Sequence, residues 1–557
     1  MSGKEQSSNN PTGARALVDA LLREGIDHMF GIPGTQNLAI LDALRDTPQI
    51  RFILTRHEQG AAFMAYGFAR AALKPTVVTA TEGPGVTNLA TGIAAAYKGQ
   101  VPVISICGIQ ESLMQERDAT QDIDQMTFMR PITKWAHTIP AVDKVQEYVR
   151  KAFRIALTEP QGPTHIDASS EVLLEHTPSE PIAPARYRNT VLPSCNNEQL
   201  DQVMALLARA ERPVFLVGRG LISEAASTAM AQLAERTGIP VAALQYSPDA
   251  FPSTHALALG PLGRNGFASA NRTVPKADLI IAVGAHIDVF STMFKYGIIS
   301  EQAQLIHHTT APGQIGIVFP VTLGVTGSTM SFIKGLTERA AKAGLKKSWV
   351  DVAQARKDCE AEQLSELRVE AEPIQSQYVA HIIRKVLPRN GLLVVDAGNG
   401  GKHVRTYFKS YEPGTFMCID DWASVGGSLP IALGAKLARP DRPVLCASGD
   451  MGAMCNIGEL ETAVRENIPV VYVVFNDQGL GNERAFQNEH YGGRFFAVDY
   501  RNPDFGALAR CFGAFGEQVT KPGDLEDALK RAFASGKPAI IDVLIDQHTL
   551  APVVYKA

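Results

Sequence analysis

The stretch that most constrains the fold runs from Pro443 to Asn482. An apolar run, Pro443 to Ala447, is followed by Gly449-Asp450, a helical pattern around Glu459 to Glu466, and a second apolar run, Val470 to Phe475. This is a strand, crossover, strand unit, which lays a helix across two parallel strands. In a parallel sheet, polar residues just past the carboxyl ends of such strands meet over one crevice. Asp450 and the pair Asn476-Asp477 occupy those positions, and Asp477 lies 27 residues beyond Asp450. Two side-chain oxygens and a carbonyl from the turn at Gly479 form a hard oxygen set that suits Mg2+, whose other octahedral positions stay open to phosphate oxygens. The backbone N–H groups of Met451 and Gly452, where the helix begins, are candidates for holding those phosphates. An ordinary turn before an α/β helix accounts for a lone Gly-Asp pair equally well.

The spacing and surroundings resemble the thiamine diphosphate signature, which begins Gly-Asp-Gly and ends in Asn-Asn at the same separation. Two positions depart, Met451 for glycine and Asp477 for asparagine. Methionine is compatible with the motif if residue 451 keeps an ordinary backbone conformation, and Asp477 keeps an oxygen ligand while adding a charge. The resemblance implies Asp450, Asp477 and the carbonyl of Gly479 as metal ligands, with Asn476 replacing Asp477 if the register shifts by one.

A second motif follows the strand candidate Arg51 to Leu54: Arg56-His57-Glu58-Gln59-Gly60, then AAFMAYGFARA at helical spacing. By itself, a glutamate near a helix start does no more than favour the macrodipole, by about 0.3–1 kcal/mol. The stretch nevertheless closely resembles the first-domain motif of thiamine diphosphate enzymes, in which this glutamate is the shared catalytic residue. With both motifs present in the family's order, the chain is identified as a member of the acetolactate synthase-like superfamily.

Further segments carry the same resemblance. Thr81-Glu82-Gly83-Pro84-Gly85-Val86-Thr87-Asn88 lies between the strand Thr76 to Thr79 and an alanine-rich helix; it permits close approach to a ligand, or merely a tight turn. It resembles the GPG-x-T-N loop of the relatives, implying Pro84 and Asn88 as cofactor contacts. Glu82 stands where those relatives carry a small or uncharged residue, and a carboxylate there is expected to disfavour an anionic acceptor or favour a cationic one. Where relatives place a Phe-Gln pair over the cofactor, this chain has Thr120-Gln121. Gln121 is the candidate for bonding a carbonyl or enol oxygen, the other reading being a solvated loop residue.

A length of 557 residues is too great for one core and fits three domains. The fold class expected is α/β, with three Rossmann-like parallel sheets. The first domain, binding the pyrimidine, spans 12–176; a Pro-rich linker, Thr177 to Pro193, leads to a middle domain over 194–345; a charged helix, Trp349 to Glu372, precedes a diphosphate-binding domain over 373–550. In the middle domain PVFLVG, PVAAL, LIIAVG and QLIHH are strand candidates, but no GxGxxG fingerprint appears. Flavin-binding acetolactate synthases carry Arg-Phe-Asp-Asp-Arg after the strand that here ends at Gly284. This chain has Ala285-His286-Ile287-Asp288-Val289-Phe290, and His308-Thr309 in place of a later acidic pair. The domain is expected to keep its fold without FAD. Three of its segments, Asp249 to His255, Gly260 to Gly266 and Phe290 to Thr292, look like those of sulfoacetaldehyde acetyltransferases.

In the third domain a strand, Gly391 to Asp396, ends in Ala397-Gly398-Asn399-Gly400-Gly401. Relatives bind diphosphate there, implying Asn399, Gly400 and Gly401; Lys402, His403 and Arg405 add charge that attracts an anion or simply lies on the surface. The stretch Asp420 to Pro430 matches the one whose bulky residue props the thiamine rings into a V, here Val425, or else is a buried strand-to-helix turn. Phe486 to Arg494 resembles the segment that follows the metal motif in acetolactate synthases.

The resemblance implies a thiamine diphosphate- and Mg2+-dependent enzyme in which Glu58, its pKa raised by burial, bonds the aminopyrimidine ring. It also implies a homodimer or homotetramer with active sites between subunits. The activity expected is that of a carboligase or acyltransferase on a 2-oxo acid or related small oxo substrate. The alternative is a decarboxylase or lyase that does not ligate; retention of Glu58 argues against a third option, a non-catalytic cofactor binder. With 53 basic against 57 acidic residues, nothing calls for nucleic acid or an anionic membrane. The polar start, MSGKEQSSNNPTG, the lack of a long apolar run and seven scattered cysteines lead to the expectation of a cytoplasmic protein with reduced thiols.

Overall fold

The computed structural model describes residues 10–178, 180–189, 191–293, 297–419 and 422–552. The first nine residues of the polar start, and Asp420 and Asp421 of the Val425 segment, lie outside them. The chain forms two compact units. One holds the residues up to 189 with 422–440 and 455–468; the other holds 191–419, 441–454 and 469–552.

The first unit is built on a sheet of β1 (His28–Gly31), β2 (Arg51–Leu54), β3 (Thr76–Ala80), β4 (Val103–Ile109), β5 (Ala136–Thr138) and β6 (Thr164–Ser169). Its order is β2-β1-β3-β4-β6-β5, all parallel. The direction of winding reverses between β1 and β3, which opens a crevice past their carboxyl ends. Leu17 and Leu21 of the helix Gly13–Arg23 and Val149 and Phe153 of Val145–Leu157 pack with Val77, Ile104 and Ile106 on one face. Thr12 caps the first of these helices, its hydroxyl accepting from the Arg15 N–H at 3.2 Å.

The second unit carries two sheets. β7 (Pro213–Val217), β8 (Val241–Leu244), β9 (Ala258–Leu262), β10 (Leu279–Val283), β11 (Gln304–Thr309) and β12 (Leu323–Thr326) lie in the order β12-β11-β10-β7-β8-β9. Read from β9, this is the doubly wound order of dinucleotide-binding sheets. Strand residues alternate between two cores: Phe215, Val217 and Ile281 face one, Val214, Leu216 and Ile280 the other. Such strands read as continuous apolar runs because both faces are covered.

The third sheet comprises β13 (Leu392–Val395), β14 (Phe416–Cys418), β15 (Val444–Gly449), β16 (Val471–Asn476), β17 (Phe515–Val519) and β18 (Ala539–Leu544). Its order, β14-β13-β15-β16-β18-β17, repeats that of the first sheet strand for strand. The expected three parallel sheets are therefore all present. The single crossover helix expected between β15 and β16 is two, Asp450–Cys455 and Glu459–Arg465, the second of which belongs to the first unit. No disulfide joins any of the seven cysteines. Among the described residues no helix is long and apolar enough to cross a membrane.

Candidate active site

The expected residues fall into two groups, one in each unit. In the first unit, β2 ends at Leu54 and the chain turns into the helix Glu58–Ala72. His57 caps that helix, its Nδ1 accepting from the Gln59 N–H at 3.1 Å. Glu58 is the first helical residue, and the Asn88 amide donates to its Oε2 at 3.0 Å. Asn88 lies on the helix Pro84–Lys98, which starts at the end of the Gly-rich loop with proline at its first position. The structure thus joins Glu58, Pro84 and Asn88 at the carboxyl end of the first sheet. Within this single chain Glu58 is half-buried. Gly83 has a φ of 56°, and a Cβ there would lie 2.3 Å from the carbonyl oxygen of Gln121, so the exposed Gln121 rides against this loop.

The turn before Glu58 is held by a residue the sequence did not single out. Glu459 is buried, and its carboxylate accepts from the backbone N–H groups of Arg56 at 3.1 Å and His57 at 3.1 Å, and from the Thr462 hydroxyl at 2.7 Å. Burial raises its pKa. Val425, read as either a prop or a buried turn, is 42% exposed between Ala423 (φ 57°) and Gly426 (φ 91°), so the buried-turn reading does not hold.

In the second unit, Gly449 of β15 pairs with Phe475 of β16, which brings Asp450 and Asp477 just past neighbouring strand ends. Asp450 is 1% exposed; its Oδ1 accepts from the Met451 N–H at 2.8 Å and the Tyr500 hydroxyl at 2.7 Å, its Oδ2 from the Asn502 amide at 2.7 Å. The Tyr500 hydroxyl also lies 2.9 Å from the Gly479 carbonyl, so one side chain gathers Asp450 and Gly479. Burial and the charge of Asp450 push the Asp477 carboxyl up to about 7, while burial raises that of Asp450. Asn476 is instead spent on other side chains, donating to Asp542 of β18 at 2.9 Å and accepting from the loop residue Asn502 at 3.0 Å. Met451 keeps ordinary helical backbone, but its N–H is turned to Asp450. Among the described residues no cluster of three or more His, Cys, Asp or Glu side chains stands ready for a metal; the set here is two carboxylates and a carbonyl.

The winding of the third sheet reverses between β13 and β15, so the loop after β13 borders the same crevice as Asp450. The helix Asn399–Tyr407 starts there behind Gly398, whose φ is 108°. A Cβ on Gly481 would lie 2.6 Å from Asp477 Oδ2 and 3.0 Å from Asn399 Cβ, which places these residues about one point. The Asn399 side chain is taken up by the chain's end, donating to the Thr549 carbonyl at 2.9 Å and accepting from the Ala551 N–H at 2.7 Å. What the crevice offers a ligand is the first-turn backbone at Gly400 and Gly401 after β13 and at Gly452 after β15. Lys402, His403 and Arg405 are not surface residues: all three are buried, and burial pushes His403 down to about 4, so it is neutral near pH 7.

The second sheet's own reversal, between β7 and β10, is pinned shut. The Gly220 N–H donates to the Gly284 carbonyl at 2.9 Å, and a Cβ on Gly284 would lie 2.9 Å from Gly220 Cα. His308 fills the place of the acidic pair: its Nδ1 accepts from the Gly284 N–H at 3.2 Å, its Nε2 bonds the Gly327 carbonyl at 3.1 Å, and its ring stacks on Phe332. In the segment that looks like sulfoacetaldehyde acetyltransferases, Asp249 Oδ2 accepts from the backbone of Thr415 and Phe416, a structural task beside β14.

Two clusters of polar side chains at sheet reversal points, on two sheets of identical order, define a class. Three family models match in sequence: the N-terminal TPP binding domain of thiamine pyrophosphate enzymes over residues 11–128, the central domain over 200–336 and the C-terminal TPP binding domain over 396–543. The chain is a thiamine diphosphate-dependent enzyme. Among similar proteins are the probable acetolactate synthase large subunit of Methanocaldococcus jannaschii, 33% identical over 97% of this chain and 93% of that protein, and the acetolactate synthase large subunit of Haemophilus influenzae, 31% identical over 96% and 95%. The isozyme 3 large subunit of Escherichia coli is 29% identical over 96% and 95%. The chain belongs to the acetolactate synthase-like family of these enzymes.

Proposed function

We propose that this chain is a Mg2+- and thiamine diphosphate-dependent carboligase that takes a pyruvate-like 2-oxo acid as donor and a small oxo compound as acceptor. The observation that carries the reading is the pair Asp450 and Asp477 at adjacent strand ends. Two buried carboxylates, one pushed up to about 7 by its neighbour's charge, are a poor arrangement alone and a good one around a divalent cation. Asp450, Asp477 and the Gly479 carbonyl would hold the metal, and the helix starts at Gly400, Gly401 and Gly452 the diphosphate. Pro84 and Val425 would flank the rings.

Bound thiamine diphosphate supplies the carbanion stabilisation that decarboxylating a 2-oxo acid requires. This chain's residues do the rest. Glu58 would hold a proton at a ring nitrogen of the cofactor, and Asn88 fixes the carboxylate by donating to its Oε2. Glu459 fixes the turn from which Glu58 projects. Gln121 would bond an acceptor oxygen. The half-exposure of Glu58 supports an assembly of two or four copies, with Glu58 of one chain facing Asp450 and Asp477 of another. The closed reversal point of the second sheet and His308 support a middle domain that takes no FAD.

The test is mass spectrometry of products formed from pyruvate with thiamine diphosphate and Mg2+, alone and with a panel of acceptors that includes sulfoacetaldehyde with phosphate. Ligated product from pyruvate supports the carboligase. Acetyl phosphate formed only with sulfoacetaldehyde moves the reading to acetyl transfer, which the three segments of the middle domain favour. Free acetaldehyde as sole product overturns both.

A further inference from the structure

Glu82 follows β3 at the reversal point of the first sheet, the place where open α/β sheets bind their ligands. It is 1% exposed. Two amides converge on its Oε1: Gln36, from the turn after β1, donates at 3.0 Å, and Gln110, after β4, donates as well. Both amides are fixed in orientation. The Gln36 carbonyl accepts from the Thr81 hydroxyl at 2.7 Å, and the Gln110 amide also donates to the Thr120 carbonyl at 2.9 Å, so each turns its NH2 to Glu82. Oε2 is buried and has no hydrogen-bond partner. The neighbouring charges are both negative, Asp122 from the loop after β4 and Asp167 on β6. Asp167 is itself engaged by His165 on the same strand at 2.9 Å and by the Gln125 amide at 2.8 Å. Gln125 Oε1 in turn accepts from the Gly83 N–H at 2.6 Å, tying this network to the loop that carries Pro84.

An ionised carboxylate here would leave one oxygen unserved among like charges; a neutral acid removes that charge. Resting on the carboligase reading, we infer that Glu82 sets which acceptor the site admits: buried behind the loop that carries Pro84 and held as a neutral acid, it lets an anionic oxo acid approach that its ionised form repels through space. This replaces the expectation of a fixed negative charge at this position. Burial, and then the charges of Asp122 and Asp167, push the carboxyl up to about 7, so the neutral form is lost across the neutral range.

The experiment uses the full chain with thiamine diphosphate, Mg2+ and pyruvate as donor, with pyruvate and acetaldehyde as anionic and neutral acceptor probes. A group titrating near neutrality loses about tenfold of its protonated form between pH 6 and 8. The ratio of kcat/KM for the pyruvate acceptor over the acetaldehyde acceptor is expected to fall by about that factor in the wild type. In Glu82→Gln, which is neutral at every pH, and in Glu82→Ser, which has no carboxyl, the ratio stays level. A residue that only shapes the loop would shift both rates together and leave the slope of the ratio unchanged in the variants, which overturns the inference. If neither acceptor is ligated, the carboligase reading fails by itself. Infrared difference spectra of wild type against Glu82→Gln then decide the state of Glu82: a protonated-carboxyl band present at pH 6 and gone at pH 8 supports it, and its absence at pH 6 sinks it.

Discussion

Glu459 offers a test of how the fold holds Glu58 in place. Its carboxylate serves the N–H groups of Arg56 and His57 just before the Glu58–Ala72 helix, and it accepts from Thr462 within its own helix. Glu459→Ala leaves two backbone donors unserved. Each costs about 1–3 kcal/mol when buried; water reaches the exposed Arg56 and His57, so the low end applies and the sum is about 2–4 kcal/mol. For a unit of this size, 1 kcal/mol moves a thermal midpoint by about 2–4 °C, so the first unfolding transition should fall by about 4–16 °C. Glu459→Gln is a different case. Its amide oxygen can accept from Arg56 and His57 while its NH2 faces the Thr462 hydroxyl, so it should cost about 1 kcal/mol or less. Activity should follow, because a displacement of about 1 Å in a positioning element costs up to about 100-fold. The assay is calorimetry alongside cofactor-dependent pyruvate consumption. If alanine and glutamine lower both readouts equally, the loss comes from the charge or the packing, and the anchoring argument is wrong.

Glu58→Gln should abolish turnover while leaving the thermal shift on adding thiamine diphosphate and Mg2+ intact; a lost shift would make Glu58 a binding residue only. Asp450→Asn should weaken Mg2+ binding by at least about 100-fold, as removal of supporting groups around metals already costs 10–100-fold; calorimetric titration with Mg2+ and cofactor checks it, and unchanged affinity would move the metal elsewhere. The Glu82 carboxyl is raised from 4.5 to about 7 in the folded chain, so the folded state binds that proton more tightly than the unfolded one. Its contribution is therefore complete below pH 4.5 and is lost as pH rises to 7, by up to about 3 kcal/mol. Denaturation of Glu82→Gln across this range should lack that part of the slope, and parallel curves would argue that Glu82 stays ionised.

Much of the candidate site was legible in its placement because its residues sit at strand ends, and strand ends can be read from apolar runs bounded by glycine and acidic residues. β2 fell where the pattern placed it, the helix whose pattern begins at Ala61 starts three residues earlier at Glu58, and the runs PVFLVG and LIIAVG became β7 and β10 with only the terminal glycines left out. Short edge strands were not legible. β14 (Phe416–Cys418) has three residues, and β17 (Phe515–Val519) carries Gly516, Glu517 and Gln518; both become strands only because a neighbour supplies the ladder. The supporting residues of the site were also hidden. Glu459 reads as one more acid on a helix, and its burial depends on a turn some 400 positions away in the chain. Tyr500 and Asn502 lie in a loop with no motif, and only the fold brings them to Asp450. Lys402, His403 and Arg405 misled in the opposite direction, since composition alone places such residues outside.

The most direct test of the carboligase is a carbon–carbon bond seen forming. The full chain, loaded with thiamine diphosphate and Mg2+, is given pyruvate labelled with carbon-13 at its carbonyl carbon, and the product is followed by NMR. The expected product has two labelled carbons directly bonded, shown by a one-bond carbon–carbon coupling that Glu58→Gln does not produce. Labelled acetaldehyde without that coupling, from a chain that binds cofactor normally, would contradict the carboligase.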